Sequence, residues 1–518
     1  MKPSSMLHPF LFGLFLVVNF VSGNVGEADY VDAILVATMI LAMVFAILTI
    51  CQLVLKDIHR SGMIASGLLV FIFSPYQVLL TMRSWLSHLN GEAVQLNPLG
   101  VYAALIFAIA FYVYFFAKKA QGAQQLTPIL NVMAACLVGI PLSTIAIEKI
   151  SQRIDWPSIH NQHQAELLAS NITVTPRLPD IYYIIMDRYA GPETLKTIYN
   201  FDNKHFLDYL EAKGFYVASR SAGNYPSTAQ SLASSLNLQY LTYLGKFMDP
   251  ESTSWIPIHR LLEDHKVRSF LKSKGYQYIH LGSWWEPTRK NKLADENVYF
   301  TPLPEMFYVL YGTTVFQPVS AALGVLDLRY EHWRGNRRQF EDLTGRVDAA
   351  GPKFVLAHFL LPHDPYVFSR DGDYLRLHQV NNQPTELNYI NQLLYTNRML
   401  QKTIDNLIST SKQPPIIILQ ADEGPYPRRY DHDTQNFDWR KATNAELNQK
   451  MQILNSFYLP GVDSRALYPT ISPVNTFRLV FNLYFKTNLP LLPDESFVFE
   501  QRRRPYSLLN VTTKLHNK

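Results

Sequence analysis

Long apolar runs recur through roughly the first 150 residues of this 518-residue chain, and charged residues are scarce among them. A helix of about 20 apolar residues is long enough to cross the hydrocarbon core of a bilayer. The runs predict five membrane spans, near Leu7 to Val21, Val31 to Leu55, Gly62 to Met82, Leu99 to Ala117 and Pro128 to Ile147. The first run is short enough to be a signal peptide, but no convincing small-residue cleavage site follows it, so we interpret it as a retained span.

The charges of the short loops predict how these spans are oriented. The loops Lys56 to Arg60 and Ala117 to Gln121 are basic and fall on the same side as Lys2, whereas the loop Gly26 to Asp32 is acidic. Because basic loops face the cytoplasm, everything after about residue 150 is expected to lie outside. If the first run were cleaved, four spans would remain and this part would still lie outside.

Composition divides the chain into three predicted regions: a membrane domain at 1–148, a polar linker at 149–178 and an outward domain at 179–518. Both cysteines, Cys51 and Cys136, lie inside predicted spans. The outward domain therefore has neither disulfides nor cysteine ligands for a metal. The net charge of +5 is thinly spread and no nucleic-acid-reading motif is present, which argues against a nucleic-acid partner.

Apolar strand-like runs alternate with amphipathic helix-like runs in the outward domain. The strand-like runs are 180–186, 214–219, 276–282, 353–361 and 415–420, and the helix-like runs are 201–214, 228–237, 259–275 and 387–410. This alternation predicts an α/β domain with a mostly parallel central sheet covered by helices on both faces.

Reactive side chains follow several of these strands. Asp187 follows the first strand, His363 follows "FLLP", and Asp422 and Glu423 follow "IIILQ". Thr228, after Ser227, starts a helix. Taken singly, each has an ordinary explanation as a turn former, a helix cap or a loop residue. Their joint occurrence indicates a site, because the carboxyl ends of parallel strands meet at one edge of a sheet.

Together these groups suit metal-assisted chemistry. Asp187, Asp422 and Glu423 supply oxygen ligands for a divalent cation, which also relieves the repulsion between them. A hydroxyl beside that cation and at a helix start is activated as a nucleophile and faces free backbone N–H groups. His363 could stabilise the transferred group or protonate the leaving oxygen. The set indicates phosphoryl or sulfuryl transfer.

The order of Asp187, "STAQS" and "IIILQADEG" resembles the alkaline phosphatase superfamily, which includes the sulfatases. Its membrane-anchored branch, with lipoteichoic acid synthases and lipid A phosphoethanolamine transferases, is most similar. The stretches 280–299, 359–368 and 471–485 are similar to bacterial sulfatase-like hydrolases/transferases. The resemblance implies that Thr228 binds the metal and attacks a phospholipid head group, with Ser227 as the alternative if the register is off by one. It also implies a multi-pass protein of the bacterial plasma (inner) membrane, with a phospholipid donor and an envelope glycan or glycolipid acceptor.

One position departs from the superfamily pattern. The late strand usually ends in Asp-His-Gly, with both polar residues binding metal, whereas this chain has Asp422, Glu423 and Gly424. An all-oxygen set favours a hard cation such as Mg²⁺, Mn²⁺ or Ca²⁺ over Zn²⁺. The change could also mark a site that no longer turns over. His432 could supply the missing imidazole, while His358, inside a strand, is expected to point into the core.

Other residues are candidates for substrate binding. Trp284 and Trp285 follow a strand and could form a wall for a sugar or head group, or could pack against a neighbouring helix. Arg428, Arg429 and Arg440 could bind an anionic head group, or could offset the acidic site.

The resulting hypothesis is a transferase that moves a phospho-linked head group through a covalent Thr228 intermediate. The first alternative is a hydrolase on the same fold, a phosphodiesterase or a sulfatase. A formylglycine sulfatase needs Cys or Ser followed two residues later by Pro or Ala and then by Arg, and "STAQS" lacks this Pro and Arg. The second alternative is a non-catalytic envelope protein.

Overall fold

A computed structural model describes residues 5–25, 28–74, 78, 81–82, 85–86, 98–118, 122–151, 178–301, 303–317, 320, 323, 325–345, 351–432, 434 and 436–516. The chain forms two compact units. One comprises Met1–Arg153 and Pro302–Leu328, and the other comprises Ile154–Thr301 and Arg329–Lys518. The predicted linker at 149–178 lies largely outside the described residues, so the predicted domain boundaries stay predictions.

The elements are numbered here in chain order. The helices are α1 His8–Gly23, α2 Tyr30–Leu55, α3 Ile58–Phe73, α4 Pro98–Lys118, α5 Ala123–Ser151, α6 Pro192–Thr197, α7 Lys204–Ala212, α8 Thr228–Asn237, α9 Ile256–Glu263, α10 Lys266–Ser273, α11 Glu286–Arg289, α12 Glu305–Gly312, α13 Leu328–Gly345, α14 Leu377–Asn381, α15 Thr385–Thr410, α16 Arg428–His432, α17 Asn444–Met451, α18 Pro473–Phe485 and α19 Thr512–His516. Short 3₁₀ helices span Leu241–Lys246, Trp439–Lys441 and Ser464–Ala466. The strands are β1 Ile181–Met186, β2 Tyr216–Val217, β3 Gln277–Leu281, β4 Glu296–Val298, β5 Lys353–Phe359, β6 Ile416–Gln420, β7 Asn455–Tyr458, β8 Phe497–Phe499 and β9 Leu508–Asn510.

The first unit is helical and apolar. All five predicted spans overlap helices, α1 to α5, but only α2 and the Ala123–Ile150 part of α5 are long and apolar enough, among the described residues, to cross a membrane. The other apolar helical stretches found among the described residues, His8–Gly23, Ile58–Phe73 and Ala103–Lys118, are shorter. The first unit therefore holds two clear span candidates, and the multi-pass arrangement stays a prediction.

A segment of the chain that follows β4 belongs to the first unit. Met306 of α12 is buried in an apolar cluster with Val17 of α1 and Val36 and Val44 of α2. A backbone hydrogen bond of 3.0 Å from Val315 N to Ile72 O adds a further contact. The stretch Pro302–Leu328, which the sequence assigned to the outward domain, thus packs with the N-terminal helices.

The second unit is built on a seven-stranded sheet with the strand order β2-β7-β6-β1-β5-β3-β4. β1 lies at the centre, parallel to both β5 and β6, and β3 is parallel to β5 and to β4. β7 runs antiparallel to β6 and to β2, and β8 and β9 form a separate antiparallel pair. The sheet is therefore mixed, parallel at its centre and antiparallel at one edge.

Alternate residues of β1 point to opposite faces of the sheet, as strand geometry requires. Tyr182 and Ile184 pack on one face in a cluster that includes residues of α7, α13 and α15. Tyr183 and Ile185 pack on the other face in a cluster that includes residues of α8, α10 and α18. Because both faces are covered, the sheet edge formed by the carboxyl ends of β1, β5 and β6 is left for a site.

The α/β prediction is confirmed, with two differences in detail. The sequence missed β4, β7, β8 and β9, which have three or four residues each, too few for a periodic pattern. The run 259–275 forms α9 and α10 instead of one helix. The break falls at His265, which has an extended backbone. Its side chain caps α10 by accepting a hydrogen bond from Arg268 N.

Candidate active site

Three side chains with metal-ligating atoms meet at the carboxyl ends of the central strands. Asp187 directly follows β1, Asp422 follows β6 by two residues, and His358 lies within β5 opposite Ile185 of β1. One ligand atom from each lies within 4.8 Å of the other two, and all three residues are buried. The topology thus brings together two predicted residues, Asp187 and Asp422, and one that the sequence placed in the core, His358.

Each of the three residues has one buried polar atom without a hydrogen-bond partner. Asp187 Oδ1, His358 Nε2 and Asp422 Oδ2 are buried without a hydrogen-bond partner. His358 Nε2 is 3.8 Å from Asp187 Oδ2, beyond hydrogen-bonding distance. Burying such atoms without partners is costly, and native structures seldom leave them so. An unsatisfied N, O, O set at this spacing fits a divalent cation.

The electrostatics of the cluster favour a cation as well. Burial, followed by the charges of Asp422 and Glu423, raises the pKa of Asp187 well above its usual value. Burial and Glu423 raise the pKa of Asp422 to about 7, although the nearby Thr228 hydroxyl acts in the opposite direction. A positive ion between the carboxylates would offset both the burial and the repulsion between the carboxylates, because it stabilises their charged forms.

His358 is held in place by hydroxyl groups. Its Nδ1 lies 2.8 Å from Thr288 Oγ1, which lies 2.8 Å from Ser283 Oγ. Burial and the neighbouring His280 lower the pKa of His358 to about 3, so the imidazole is neutral at ordinary pH. A proton on Nδ1 would donate to Thr288 and leave the lone pair of Nε2 facing the carboxylates, which is how a metal-binding histidine is usually oriented.

Thr228 reaches the same cluster from α8. It is the first residue of that helix, and its hydroxyl lies close enough to the Asp422 carboxyl to lower the pKa of that carboxyl. One turn later, Ser231 Oγ donates to the Asp422 backbone oxygen at 2.6 Å. These two contacts hold the start of α8 against the end of β6. Ser227 is the N-cap residue and makes no side-chain cap hydrogen bond.

Glu423 lies outside the group of three and is paired with cations of the protein. Its Oε1 is 2.7 Å from Lys450 Nζ and 3.7 Å from Arg188 Nε. Lys450 is fully buried and also donates to Gly424 O at 2.9 Å. Glu423 Oε2 has no hydrogen-bond partner, so its predicted role as a metal ligand stays a prediction.

Arg188 lies between Glu423 and a neighbouring cavity, and its guanidinium adds positive charge there. The residue has a left-handed backbone, with a φ of 59°, directly after Asp187. Its Nη1 is 2.5 Å from Asp364 Oδ1, and its guanidinium carbon is 4.5 Å from the centre of the Tyr426 ring. The cavity, of about 640 Å³, is lined by Arg188 and by the predicted catalytic residue His363.

His363 is neutral and held by its own loop. Burial and the nearby Arg188 lower its pKa to about 3. Its Nδ1 contacts the backbone oxygen of Asp364, and since a carbonyl only accepts, Nδ1 carries the proton. The lone pair of Nε2 is then available to a hydroxyl.

The predicted substrate-binding residues are spread around the site. Trp284 stacks on His332 at 4.3 Å between ring centres and meets the His363 ring edge-on at 6.2 Å. Trp285 meets the His358 ring edge-on at 6.3 Å. Trp284 thus lies beside the predicted site residue His363, and Trp285 lies beside His358 of the metal-ligating group. Their role in substrate binding stays a prediction.

The predicted basic residues differ in position. Arg428 and Arg429 line the cavity and pair with Glu386 and Glu446 respectively. Arg440 is not among the described residues that line it and pairs with Asp438 at 2.8 Å on the surface. His432 ends α16, and its side chain lies outside the described part of the chain.

Sequence reasoning missed three residues of the site: His358, Lys450 and Arg188. His358 carried a signal, because it is a polar residue within the apolar strand "KFVLAHF". Lys450 carried none, since its place depends on how α17 packs against the end of β6. Arg188 follows Asp187 directly, but nothing in the sequence indicates the backbone turn that directs it.

Comparison with known proteins gives a family match. The family model described as Sulfatase matches residues 179–448, more than half of the chain. A search of curated proteins finds no match. The matched stretch runs from the residues just before β1 into α17, and it includes Asp187, Thr228, His358 and Asp422.

Several solved structures are similar at low sequence identity. The C-terminal periplasmic domain of EcEptC from Escherichia coli is 12% identical, with a TM-score of 0.44, over 66% of this chain and 95% of that chain. The integral membrane protein lipooligosaccharide phosphoethanolamine transferase A (EptA) from Neisseria meningitidis is 12% identical, with a TM-score of 0.39, over 93% of this chain and 95% of that chain. BT1596, a 2-O GAG sulfatase, is 14% identical, with a TM-score of 0.37, over 63% of this chain and 74% of that chain.

Proposed function

Because this chain belongs to the sulfatase family, a family of hydrolases and transferases within the alkaline phosphatase superfamily, we propose that it moves a phospho-linked head group from a lipid to an envelope glycan or glycolipid. The head group is of the phosphoethanolamine or phosphoglycerol type. The observation that carries the proposal is the position of Thr228, at a helix start beside Asp422, where ligand atoms of Asp187, His358 and Asp422 lie buried without hydrogen-bond partners. The two apolar helices long enough to cross a membrane support a lipid donor and a place in the bacterial plasma membrane.

Asp187, His358 and Asp422 would hold the metal ion. When bound, a divalent cation supplies positive charge that favours the ionised carboxylates and the deprotonated Thr228 hydroxyl. Since His358 contributes an imidazole, the donor set favours Zn²⁺ or Mn²⁺ over Mg²⁺ and Ca²⁺. This preference differs from the all-oxygen set expected from Asp422 and Glu423.

In the first half-reaction, Thr228 Oγ attacks the phosphorus of the donor. A bond forms between Oγ and phosphorus, and the bond from phosphorus to the diacylglycerol oxygen breaks. The proton of the Thr228 hydroxyl leaves with that oxygen, so diacylglycerol is released and the head group stays on Thr228. The free N–H groups at the start of α8 face the phosphate oxygens, which suits a helix N-terminus.

In the second half-reaction, a hydroxyl of the acceptor replaces Thr228 on phosphorus. The neutral His363 orients this hydroxyl by accepting a hydrogen bond from it at Nε2, since its Nδ1 already donates to Asp364. The acceptor oxygen bonds to phosphorus, the bond to Thr228 Oγ breaks, and the proton returns to Oγ. Arg188 and Lys450 place positive charge beside the transferred phosphate throughout.

The test uses the full chain in vesicles that contain phosphatidylethanolamine and phosphatidylglycerol with labelled head groups. Thr228→Ala is expected to lower diacylglycerol release by about 10³-fold or more, because the attacking oxygen is lost. The matched control is Ser235→Ala in the same helix, whose hydroxyl bonds to Leu232 O at 3.3 Å, and this change should leave release near the parent rate. Full activity of Thr228→Ala would contradict the proposal.

The family match favours one rival, a hydrolase on the same fold. A hydrolase would release the labelled head group as a free molecule, whereas a transferase joins it to the glycan or glycolipid. The same vesicle assay separates the two when products are resolved by mass. The lack of the Pro and Arg that a formylglycine sulfatase needs after its Cys or Ser weighs against sulfate ester hydrolysis.

A further inference from the structure

The cavity beside Arg188 and His363 has a lining of unusual composition. Its volume of about 640 Å³ is within the range of small-molecule sites. Its aromatic lining consists of tyrosines alone among the described residues: Tyr199, Tyr366, Tyr389, Tyr426 and Tyr430. Tyr389, Tyr426 and Tyr430 are buried in the wall, whereas Tyr199 and Tyr366 are partly exposed and offer their rings to the cavity.

Two stacked tyrosine pairs make the walls stiff. Tyr199 stacks on Tyr389 with ring centres 4.4 Å apart, and Tyr426 stacks on Tyr430 at 4.0 Å. Hydrogen bonds fix both pairs in the fold: Tyr389 Oη donates to Arg188 O at 2.9 Å, and Tyr426 Oη donates to Pro226 O at 2.8 Å. Pro226 lies two residues before Thr228, so one wall is tied to the segment that carries the proposed nucleophile.

The charged groups of the lining come mostly in opposite pairs. Arg188 pairs with Asp364, Arg428 with Glu386, and Arg429 with Glu446 at 2.8 Å. Each pair presents N–H donors next to carboxylate acceptors. A ligand hydroxyl, which both donates and accepts, can satisfy both members of such a pair, so the pairs suit an uncharged polar ligand.

The lining is poorly suited to acyl chains. Ile198 is the one branched aliphatic side chain among the described residues that line the cavity, and the remaining apolar surface is aromatic or proline. Aliphatic chains are bound by extended aliphatic surfaces, since their binding depends on the apolar area removed from water. The acyl chains of a lipid donor are therefore not the ligand of this cavity.

We propose that the cavity binds the acceptor of the transfer, and that the acceptor part it binds is a neutral saccharide. The sugar rings pack their C–H faces on the tyrosines, and their hydroxyl groups bond to the arginine–carboxylate pairs. His363, in the wall of the cavity, meets the sugar hydroxyl that receives the phosphate. This inference rests on the proposed transferase function and names its acceptor class.

The experiment measures saccharide binding to the full-length Thr228→Ala protein, in which turnover is blocked, in a detergent without a sugar head group. The probes are glucose, galactose, N-acetylglucosamine and their disaccharides, followed by saturation-transfer NMR and titration. Tyr199→Ala removes one aromatic face, and Arg428→Gln removes an exposed member of a charge pair without disturbing the core. Tyr330→Ala is the matched control, because Tyr330 is a partly exposed tyrosine stacked on Trp333 away from the cavity lining.

At least one saccharide is expected to bind, with affinity reduced tenfold or more by Tyr199→Ala and severalfold by Arg428→Gln, and unchanged by Tyr330→Ala. Absence of saccharide binding, or binding that Tyr199→Ala and Arg428→Gln leave intact, would overturn the inference. Preferential binding of glycerol phosphate or phosphoethanolamine at this cavity would also overturn it. If the parent protein releases diacylglycerol while no saccharide binds, the acceptor inference alone fails; if saccharide binds while no head group is ever transferred, the proposed function alone fails.

Discussion

At the scale of single residues, the two adjacent carboxylates at the end of β6 have different partners. Asp422 faces Asp187 and His358, whereas Glu423 faces Lys450 and Arg188. A buried charge is tolerated when it is paired and costly when its partner is lost. Lys450 therefore supports the site by neutralising a carboxylate that would otherwise repel Asp422.

Lys450→Met should destabilise the protein, because it leaves Glu423 charged and without its nearest partner. We expect the free energy of unfolding to fall by about 3–5 kcal/mol. The double variant Glu423→Gln/Lys450→Met should recover most of this loss, since both charges are then gone. Chemical denaturation of the full chain in the presence of a chelator measures both.

Lys204→Met is the matched control for this experiment, because Lys204 pairs with Asp208 at 2.6 Å on the surface. It should change stability little, as exposed ion pairs usually do. A Lys450→Met variant as stable as the Lys204→Met control would show that the buried pair does not support the fold.

Where the end of a strand or the start of a helix fixes a residue's position, the sequence was enough to propose that residue, and the roles of these residues stay predictions. Asp187, Thr228 and Asp422 were identified because each adjoins the end of a strand or the start of a helix, and parallel strands bring such residues together. His358 and Lys450 were missed because their roles depend on contacts between elements distant in the chain. His358 meets Asp187 only through the pairing of β1 with β5, and Lys450 meets Glu423 only through the packing of α17.

At the scale of elements, the end of α17 lies directly against the turn after β6. Gly424 N donates to Lys450 O at 2.7 Å, and a Cβ on Gly424 would lie 2.3 Å from Gln449 O. Only glycine allows this approach. The close contact sets where Asp422 and Glu423 point, because they directly precede Gly424.

Gly424→Ala is expected to destabilise the protein by about 2 kcal/mol or more and to weaken divalent metal binding, since the added methyl group must push the turn away from α17. Gly345→Ala is the matched control, because a Cβ there meets no atom within 4 Å. Thermal unfolding and metal titration of the two variants check this. Equal melting temperatures and metal affinities would contradict the role assigned to Gly424.

Prediction of the elements depended on their length. Long periodic runs gave β1, β5, β6, α8 and α15 nearly at their observed bounds. β7 escaped because it has four residues, yet it makes the sheet mixed by running antiparallel to β6. Short edge strands are defined by the neighbour they pair with, which a local pattern does not contain.

At the scale of the whole molecule, the described residues join an apolar helical unit to an α/β unit, and the chain after β4 returns to the first unit before α13 continues the second. Sequence alone did not predict this return, because Pro302–Leu328 shows no apolar run of membrane-spanning length. We expect metal binding to increase the free energy of unfolding, because the α/β unit buries carboxylate oxygens that have no hydrogen-bond partner.

Metal stabilisation should rise with pH. Without metal, the pKa of Asp422 is about 7 in the folded state and near its ordinary value of about 4 in the unfolded state. The folded state then binds more protons, so the metal-free protein loses stability as pH rises from about 4 to 7. Metal binds the deprotonated carboxylate, so its stabilising effect should grow through this range.

The measurement is the melting temperature with Zn²⁺ or Mn²⁺ minus that with a chelator, from pH 5 to pH 8. The neutral His358, with a pKa of about 3, adds nothing to the trend. Asp422→Asn should reduce the rise, and the remainder comes from Asp187, whose pKa is also raised. A metal effect that is constant across this range, or largest at pH 5, would contradict the assignment of Asp422 as a ligand.

We propose that Thr228 carries the head group beside a bound metal ion. The most direct test of this proposal is intact-mass and peptide-mass analysis of the full chain purified from bacterial membranes, with the metal content read from the same sample. The account predicts a bound divalent ion and a phosphorus-containing adduct on Thr228, whose mass identifies the donated group. An unmodified, metal-free protein that stays so after addition of Zn²⁺, Mn²⁺ and membrane lipids would contradict it and would favour a non-catalytic envelope protein.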